Sequence, residues 1–137
     1  GVRLGYCLCS DTELLARMRA AGQPWAVSSL AQAAGIAALD ETEYVAKVRA
    51  LIEAQRPVLA DGLRALGLRV IEGRANYLLF RAPEALGEAL RHKGAVLRSC
   101  GNYPGLDASW YRTAVRTENE NRQLLALLAE TLPEVAQ

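Results

Sequence analysis

Leu68-Arg69-Val70-Ile71-Glu72-Gly73-Arg74-Ala75-Asn76-Tyr77-Leu78-Leu79-Phe80-Arg81 is where the period of this chain changes. Upstream of it, apolar residues recur at helical spacing. Here two short runs rich in β-branched and aromatic residues flank a turn at Gly73, which predicts strands over Leu68–Glu72 and Asn76–Arg81. Pro83 suits a first helical turn, so Glu84–His92 reads as a helix that Gly94 ends. A third strand is expected over Ala95–Arg98 and a fourth over Tyr111–Arg116. Between them lies a turn-rich loop, GNYPGLDAS, from Gly101 to Ser109. Thr117 and Glu120 form a capping box for a helix carrying Leu124, Leu125, Leu127 and Leu128, with Pro133 expected to end it.

On the other side of the deciding stretch, Tyr44, Val48, Leu51, Ile52, Leu59, Leu63 and Leu66 keep one helical face. That predicts a long helix from Glu41, opened by an Asp40–Glu43 capping box, kinked at Pro57 and closed by Gly67. A shorter helix, capped by Ser28 or Ser29, runs to Leu39. From residue 25 the order is α-α-β-β-α-β-β-α. The fold class that follows is α/β, a two-layer sandwich in which helices cover a small, mainly antiparallel sheet. Residues 2–9, VRLGYCLC, read as a buried strand, and Thr12–Ala20 as a helix capped by Asp11 and stopped by Gly22-Gln23-Pro24. A lone strand satisfies neither its edges nor its two faces. The segment 1–24 is therefore expected to belong to something larger, and 25–137 to form a domain of its own with the long helix bridging the two.

Composition narrows the function. The chain has 137 residues, 51% hydrophobic and 23% charged, which is ordinary for a folded domain and excludes wholesale disorder. A net charge of +1 gives no basic excess for nucleic acid or an anionic membrane, so neither is expected as a partner. No apolar run approaches the roughly 18 residues of a membrane span. Three cysteines, an odd number, argue against a disulfide framework and for a reducing, cytoplasmic setting. No signal-peptide pattern follows Gly1.

Cys7 and Cys9, two apart on the expected strand, with Cys100, have no fourth ligand at useful spacing, so they read as small buried hydrophobes and no metal site is expected. His92, the single histidine, stands at a helix end in Arg-His-Lys-Gly, where it complements the helix dipole. Arginine is the informative type, with fourteen Arg against two Lys, Lys47 and Lys93. Arg112 and Arg116 flank Ala114 on one face of the fourth strand, and Arg98 ends the third beside the glycine-rich loop. Strand ends at irregular loops commonly carry ligand-binding groups, and a planar guanidinium suits a carboxylate or phosphate. The plainer reading is that these arginines are solvated edge charges. Arg3, a charge inside an apolar run, requires a partner, either an acid from outside this segment or an anionic ligand.

Gly1-Val2-Arg3-Leu4-Gly5-Tyr6 resembles the G-x-R-x-G-Y signature of fold-type I pyridoxal-phosphate-dependent aminotransferases. The resemblance extends along the whole chain. Within that family it is strongest with the threonine-phosphate decarboxylase subgroup, through Gln23-Pro24-Trp25-Ala26-Val27-Ser28, Arg74-Ala75-Asn76-Tyr77-Leu78-Leu79, Leu97-Arg98-Ser99-Cys100-Gly101-Asn102-Tyr103-Pro104-Gly105-Leu106-Asp107 and Tyr111-Arg112-Thr113-Ala114-Val115-Arg116. Histidinol-phosphate aminotransferases resemble the same region but usually show Gly where Arg116 stands.

The resemblance implies a C-terminal small domain at 25–137 and, at 1–24, a remnant of the large cofactor-binding domain, cut just after a Ser-x-x-Lys whose lysine carries pyridoxal 5'-phosphate. Neither Lys47 nor Lys93 stands in that context, so no catalytic residue is expected within the segment, which alone is expected to be inactive and not to hold the cofactor. Arg3 is implied as a ligand of the cofactor phosphate, and Arg98 and Arg112 as ligands of the substrate's anionic groups, with Asn76 and Arg116 as further candidates. The implied reaction turns L-threonine O-3-phosphate into aminopropanol phosphate and CO2 in cobalamin biosynthesis, in a homodimeric parent. Which bond at the substrate Cα breaks depends on which stands perpendicular to the cofactor ring. A histidinol-phosphate or other amino acid aminotransferase is the alternative. A free-standing small-molecule-binding α/β domain would account for the absent lysine but not for an orphan strand at 2–9.

Overall fold

The computed structural model describes residues 2–135. It divides into two compact units, one ending at Ala46 and the other beginning at Lys47. The expected partition at residue 24 refers to the domains of a longer protein and is a different division.

In the first unit Asp11 accepts a hydrogen bond from the Leu14 amide at 2.9 Å and opens α1, Thr12–Ala21, which Gly22 closes. Ser28 accepts from the Ala31 amide at 3.2 Å and opens α2, Ser29–Asp40. The buried strand expected at 2–9 is not formed: Val2–Cys9 has no regular structure and is exposed, Cys7 and Cys9 included. A strand exists only through its neighbour's hydrogen bonds, and the four strands of the described residues all pair among themselves further along the chain.

The helix α3, Thr42–Ala65, runs through Pro57. Asp40 closes α2 rather than opening α3. In the second unit α3 presents Leu59 and Leu63, both fully buried, to the sheet. Gly67 at φ 79° then ends it: its own amide donates to Arg64 O at 2.9 Å and the Leu68 amide to Leu63 O at 3.2 Å.

The sheet is antiparallel, in the order β1 (Arg69–Ile71), β2 (Tyr77–Arg81), β4 (Trp110–Ala114) and β3 (Arg98–Ser99). Alternation sorts its two faces. Leu78, Phe80, Tyr111 and Thr113 point inward, and Phe80 meets Tyr111 at 6.1 Å between ring centroids. They pack with α3, with α4 (Leu86–His92) through Leu86 and Leu90, and with α5 (Glu118–Val135) through Leu128. The opposite face of the sheet carries Arg69, Tyr77, Leu79, Arg81, Arg98 and Arg112.

Several boundaries differ from expectation, three of them for a clear physical reason. The third strand starts at Arg98 and not Ala95, because the Ala95 amide donates to Leu90 O at 2.9 Å in closing α4, with Gly94 at φ 82°. The fourth ends at Ala114, because Asn121 takes the backbone of Arg116 as described below. Pro133 lies inside α5. It removes only the bond to the exposed Ala129, while Leu132 and Val135 on either side pack against the core.

Tyr111 fastens α4 to the sheet. Its hydroxyl donates to Glu84 O at 2.6 Å and accepts from the Gly87 amide at 3.2 Å. A Cβ at Gly87 would stand 2.9 Å from Tyr111 Cε1. Gly87→Ala is therefore expected to cost about 1–3 kcal/mol through overpacking. Gly73→Ala, with nothing within 4 Å of the added carbon, is the control. Thermal midpoints of the two variants check this, and equal midpoints would refute the close fit.

Candidate functional site

Across β3 and β4, Arg98 is the direct partner of Arg112. Cross-strand partners stand about 4.5–5.5 Å apart at Cα, with side chains on one face, and like charges so placed repel. Nothing among the described residues relieves this by an ion pair, since no described carboxylate bonds to either guanidinium. Arg112 instead lies over the ring of Tyr77, 4.5 Å from its centroid, where the electron-rich face attracts the cation.

The pair opens onto a cleft of about 670 Å³. Asn76 and Arg116 line the same cleft, so four sequence-predicted residues, Asn76, Arg98, Arg112 and Arg116, come together. Asn76 fixes its rim through a carbonyl that accepts the Val115 amide at 2.9 Å. Arg116 lies beyond the end of β4, not on it, and donates to Glu120 at 2.8 Å. Glu120 is the capping-box acid expected from the sequence. It accepts from the Thr117 hydroxyl at 2.7 Å and amide at 3.2 Å, while its own amide donates to Thr117 Oγ1 at 3.4 Å. These bonds, the hydroxyl first, hold its carboxyl below the usual range, with Arg116 adding to the effect. Arg116 thus arrives with its charge largely answered, whereas Arg98 and Arg112 do not.

Sequence reasoning missed several residues of this region. Arg91, in the last turn of α4, also lines the cleft and pairs only loosely with Glu88 at 3.7 Å. Tyr77 was legible as the strand residue two before Leu79 on the open face. Asn121, buried at 3% exposure, accepts from the Arg116 amide at 3.1 Å and donates to Arg116 O at 2.9 Å and to Gln55 Oε1 at 3.3 Å. It grips the chain where β4 ends, and only its place one residue after the capping acid hinted at this. His92 is exposed beside Glu88 at 3.4 Å. Cys100 is buried, and among the described residues no cluster suits a metal ion.

The family model for class I and II aminotransferases matches residues 1–128. The chain belongs to that family. It is 39% identical to threonine-phosphate decarboxylase of Salmonella typhimurium over 99% of its length, and 37% identical to histidinol-phosphate aminotransferase of Symbiobacterium thermophilum over 98%. These matches span only 38% and 37% of those relatives. Among solved structures, histidinol-phosphate aminotransferase from Clostridium acetobutylicum superposes on 89% of the chain with a TM-score of 0.75 at 30% identity, covering 38% of that enzyme. L-threonine-O-3-phosphate decarboxylase from Porphyromonas gingivalis superposes on 90% with a TM-score of 0.67 at 25% identity, covering 40%.

Class I and II aminotransferases depend on pyridoxal phosphate. Arg3 is the residue expected to meet the cofactor's phosphate. It is exposed, sits in the left-handed region at φ 58°, and has no ion pair among the described residues. Its fork of donors fits a phosphate. It lies in the first compact unit, in a segment without regular structure rather than in the expected strand. The two lysines do not fit the cofactor's lysine. Lys93 donates to Glu134 at 2.8 Å and Glu130 at 3.1 Å, which raises its pKa, the Glu134 bond most, and keeps the amine protonated and non-nucleophilic. Lys47 is exposed on α3. No helix of the described residues is long and apolar enough to cross a membrane.

Proposed function

We propose that this chain supplies the substrate-anion cradle of a pyridoxal-phosphate-dependent enzyme that decarboxylates L-threonine O-3-phosphate to aminopropanol phosphate, a cytoplasmic homodimer serving cobalamin biosynthesis. The observation that carries the reading is the facing pair Arg98 and Arg112, two guanidinium groups without an acid between them in an open cleft. Mutual repulsion makes such a pair unfavourable until an anion enters, and the substrate brings two anionic ends. The 39% identity to a threonine-phosphate decarboxylase supports the substrate class.

When bound, the cofactor supplies an electron sink for the bond broken at Cα. The residues of this chain bind and orient. Arg98 and Arg112 take the anionic groups and so decide which bond faces the ring. Tyr77 stacks on Arg112 and limits its rotation. Arg116, its charge largely answered by Glu120, lines the rim, and Asn76 offers an amide there. Arg3 would hold the cofactor phosphate.

Histidinol-phosphate aminotransferase is the second reading, favoured by the relative at 37% identity and the structure at TM-score 0.75. The separating experiment uses the full-length enzyme containing this chain. Decarboxylation is expected to release CO2 from L-threonine O-3-phosphate in step with amine product, faster than any amino transfer from glutamate. Amino transfer without CO2 release would establish the second reading instead.

A further inference from the structure

The strand that carries Arg98 is the weakest in the sheet. β3 has two residues, lies at the sheet edge, and pairs only with β4. It must nevertheless hold Arg98 against the repulsion of Arg112. Two backbone pairs are a slender hold for a like-charged couple, and short edge pairing slips readily. The restraint comes from the other end of the loop.

There Asp107 accepts from the Ser109 amide at 2.9 Å and also from the Ser109 hydroxyl. Ser109 in turn accepts from Arg81 Nε at 2.9 Å, and its carbonyl accepts the Ala82 amide at 2.9 Å. Arg81 reaches Asp107 at 3.9 Å. The hydroxyl and amide of Ser109, in that order, hold the Asp107 carboxyl below its usual range, and Arg81 adds to this. The returning limb of the loop is thereby tied to β2. The outgoing limb lies directly against it. A Cβ at Gly101 would stand 3.2 Å from both Cα and N of Ala108, and the Cys100 amide donates to Trp110 O at 2.8 Å. Backbone touches backbone at Gly101, so the position of residues 107–109 sets the position of residues 99–101.

We propose that Asp107, Ser109 and Arg81, acting through the backbone contact at Gly101, form a register lock that keeps Arg98 opposite Arg112. They are positioning residues. They touch neither arginine, and their effect passes through the placement of β3. The proposal rests on the reading that Arg98 and Arg112 hold the substrate anions. With the lock released, β3 spends part of its time out of register, and the competent fraction of the enzyme falls. Apparent affinity declines by that fraction, while bound substrate meets the same arrangement as before.

The test is steady-state decarboxylation of L-threonine O-3-phosphate by the full-length holoenzyme, with cofactor absorbance recorded for each variant. Asp107→Ala is expected to raise KM about fivefold or more with kcat within about twofold. Asp107→Asn, whose amide oxygen still accepts from Ser109, should fall between it and the wild type. Gly101→Ala, which wedges the same two limbs apart, should give the same KM signature. Arg98→Gln should raise KM by itself. In that background Asp107→Ala should add less than about twofold, since no repulsion remains to restrain and no charge remains to place. A general loosening of the loop would not produce that non-additivity. Wild-type KM in both Asp107→Ala and Gly101→Ala, or effects that multiply fully in the double variant, would overturn the lock while leaving the arginines as ligands. Wild-type KM in both Arg98→Gln and Arg112→Ala would instead remove the substrate reading itself. Where Asp107→Ala fails to retain cofactor, Asp107→Asn and Gly101→Ala carry the same comparison.

Discussion

Arg112→Ala in the full-length enzyme is expected to lower kcat/KM for L-threonine O-3-phosphate by about 30-fold or more. Losing one side of a desolvated, charge-assisted pair costs about 2–5 kcal/mol, and about 1.4 kcal/mol is one decade in rate. Arg112 also holds the cation side of the contact with Tyr77 at 4.5 Å, which gives the guanidinium a fixed plane. Arg112→Lys should therefore remain impaired, because an ammonium neither donates in parallel pairs nor stacks in the same way. Arg64 is the control. It pairs with Asp61 at 2.7 Å and with Glu72, outside the cleft and in solvent. Arg64→Ala should hold kcat/KM within about twofold, since exposed ion pairs contribute little. Steady-state kinetics on the three variants decide the matter. Wild-type kcat/KM in a folded, cofactor-loaded Arg112→Ala would return these arginines to the role of edge charges.

The second large effect lies on the other face of the same sheet. Phe80 is fully buried against Tyr111 and the helices. Phe80→Ala removes a ring from a close-packed interior and leaves a cavity, with an expected loss of about 3–5 kcal/mol. At roughly 1.4 kcal/mol per decade, amide hydrogen exchange at Leu78 and Thr113 should accelerate by about 100-fold or more. Val58→Ala, on the exposed side of α3, should change the same amides by less than about threefold. Unchanged protection in Phe80→Ala would show that the sheet's inner face is not the core it is described to be.

What the sequence disclosed was decided by local physics. The capping box at Thr117 and Glu120 forms as read, because both partners lie within four residues of each other. β1, β2 and β4 appear because buried and open residues alternate along them, and a short turn joins β1 to β2. Where a hydrogen bond has two claimants, the sequence is silent. The Ala95 amide serves the end of α4 and so is lost to β3. Asn121 claims the backbone of Arg116 and shortens β4. The arginines of the cleft were visible as types near strand ends, but not their facing register, which comes from pairing across a ten-residue gap between β3 and β4. The tie from Arg81 to Ser109 was invisible for the same reason. Arg81 stands 28 residues from its hydrogen-bond acceptor, and nothing in the periodicity announces it. Val2–Cys9 misled because an apolar run signals burial without naming what does the burying.

Along β4 the residues alternate in duty. Tyr111 and Thr113 hold the core, and Tyr111 latches α4 through Glu84 and Gly87. Arg112, between them, faces the cleft. Parity therefore protects the chemistry: inserting or deleting one residue within this strand would drive a guanidinium into the interior and expose a tyrosine, and the fold would fail before the reaction could drift. Substitution is freer than insertion, since an exchange at 98 or 112 leaves the alternate positions, and hence the packing, untouched. Relatives of nearly equal similarity, at 39% and 37% identity, carry a decarboxylase and an aminotransferase name.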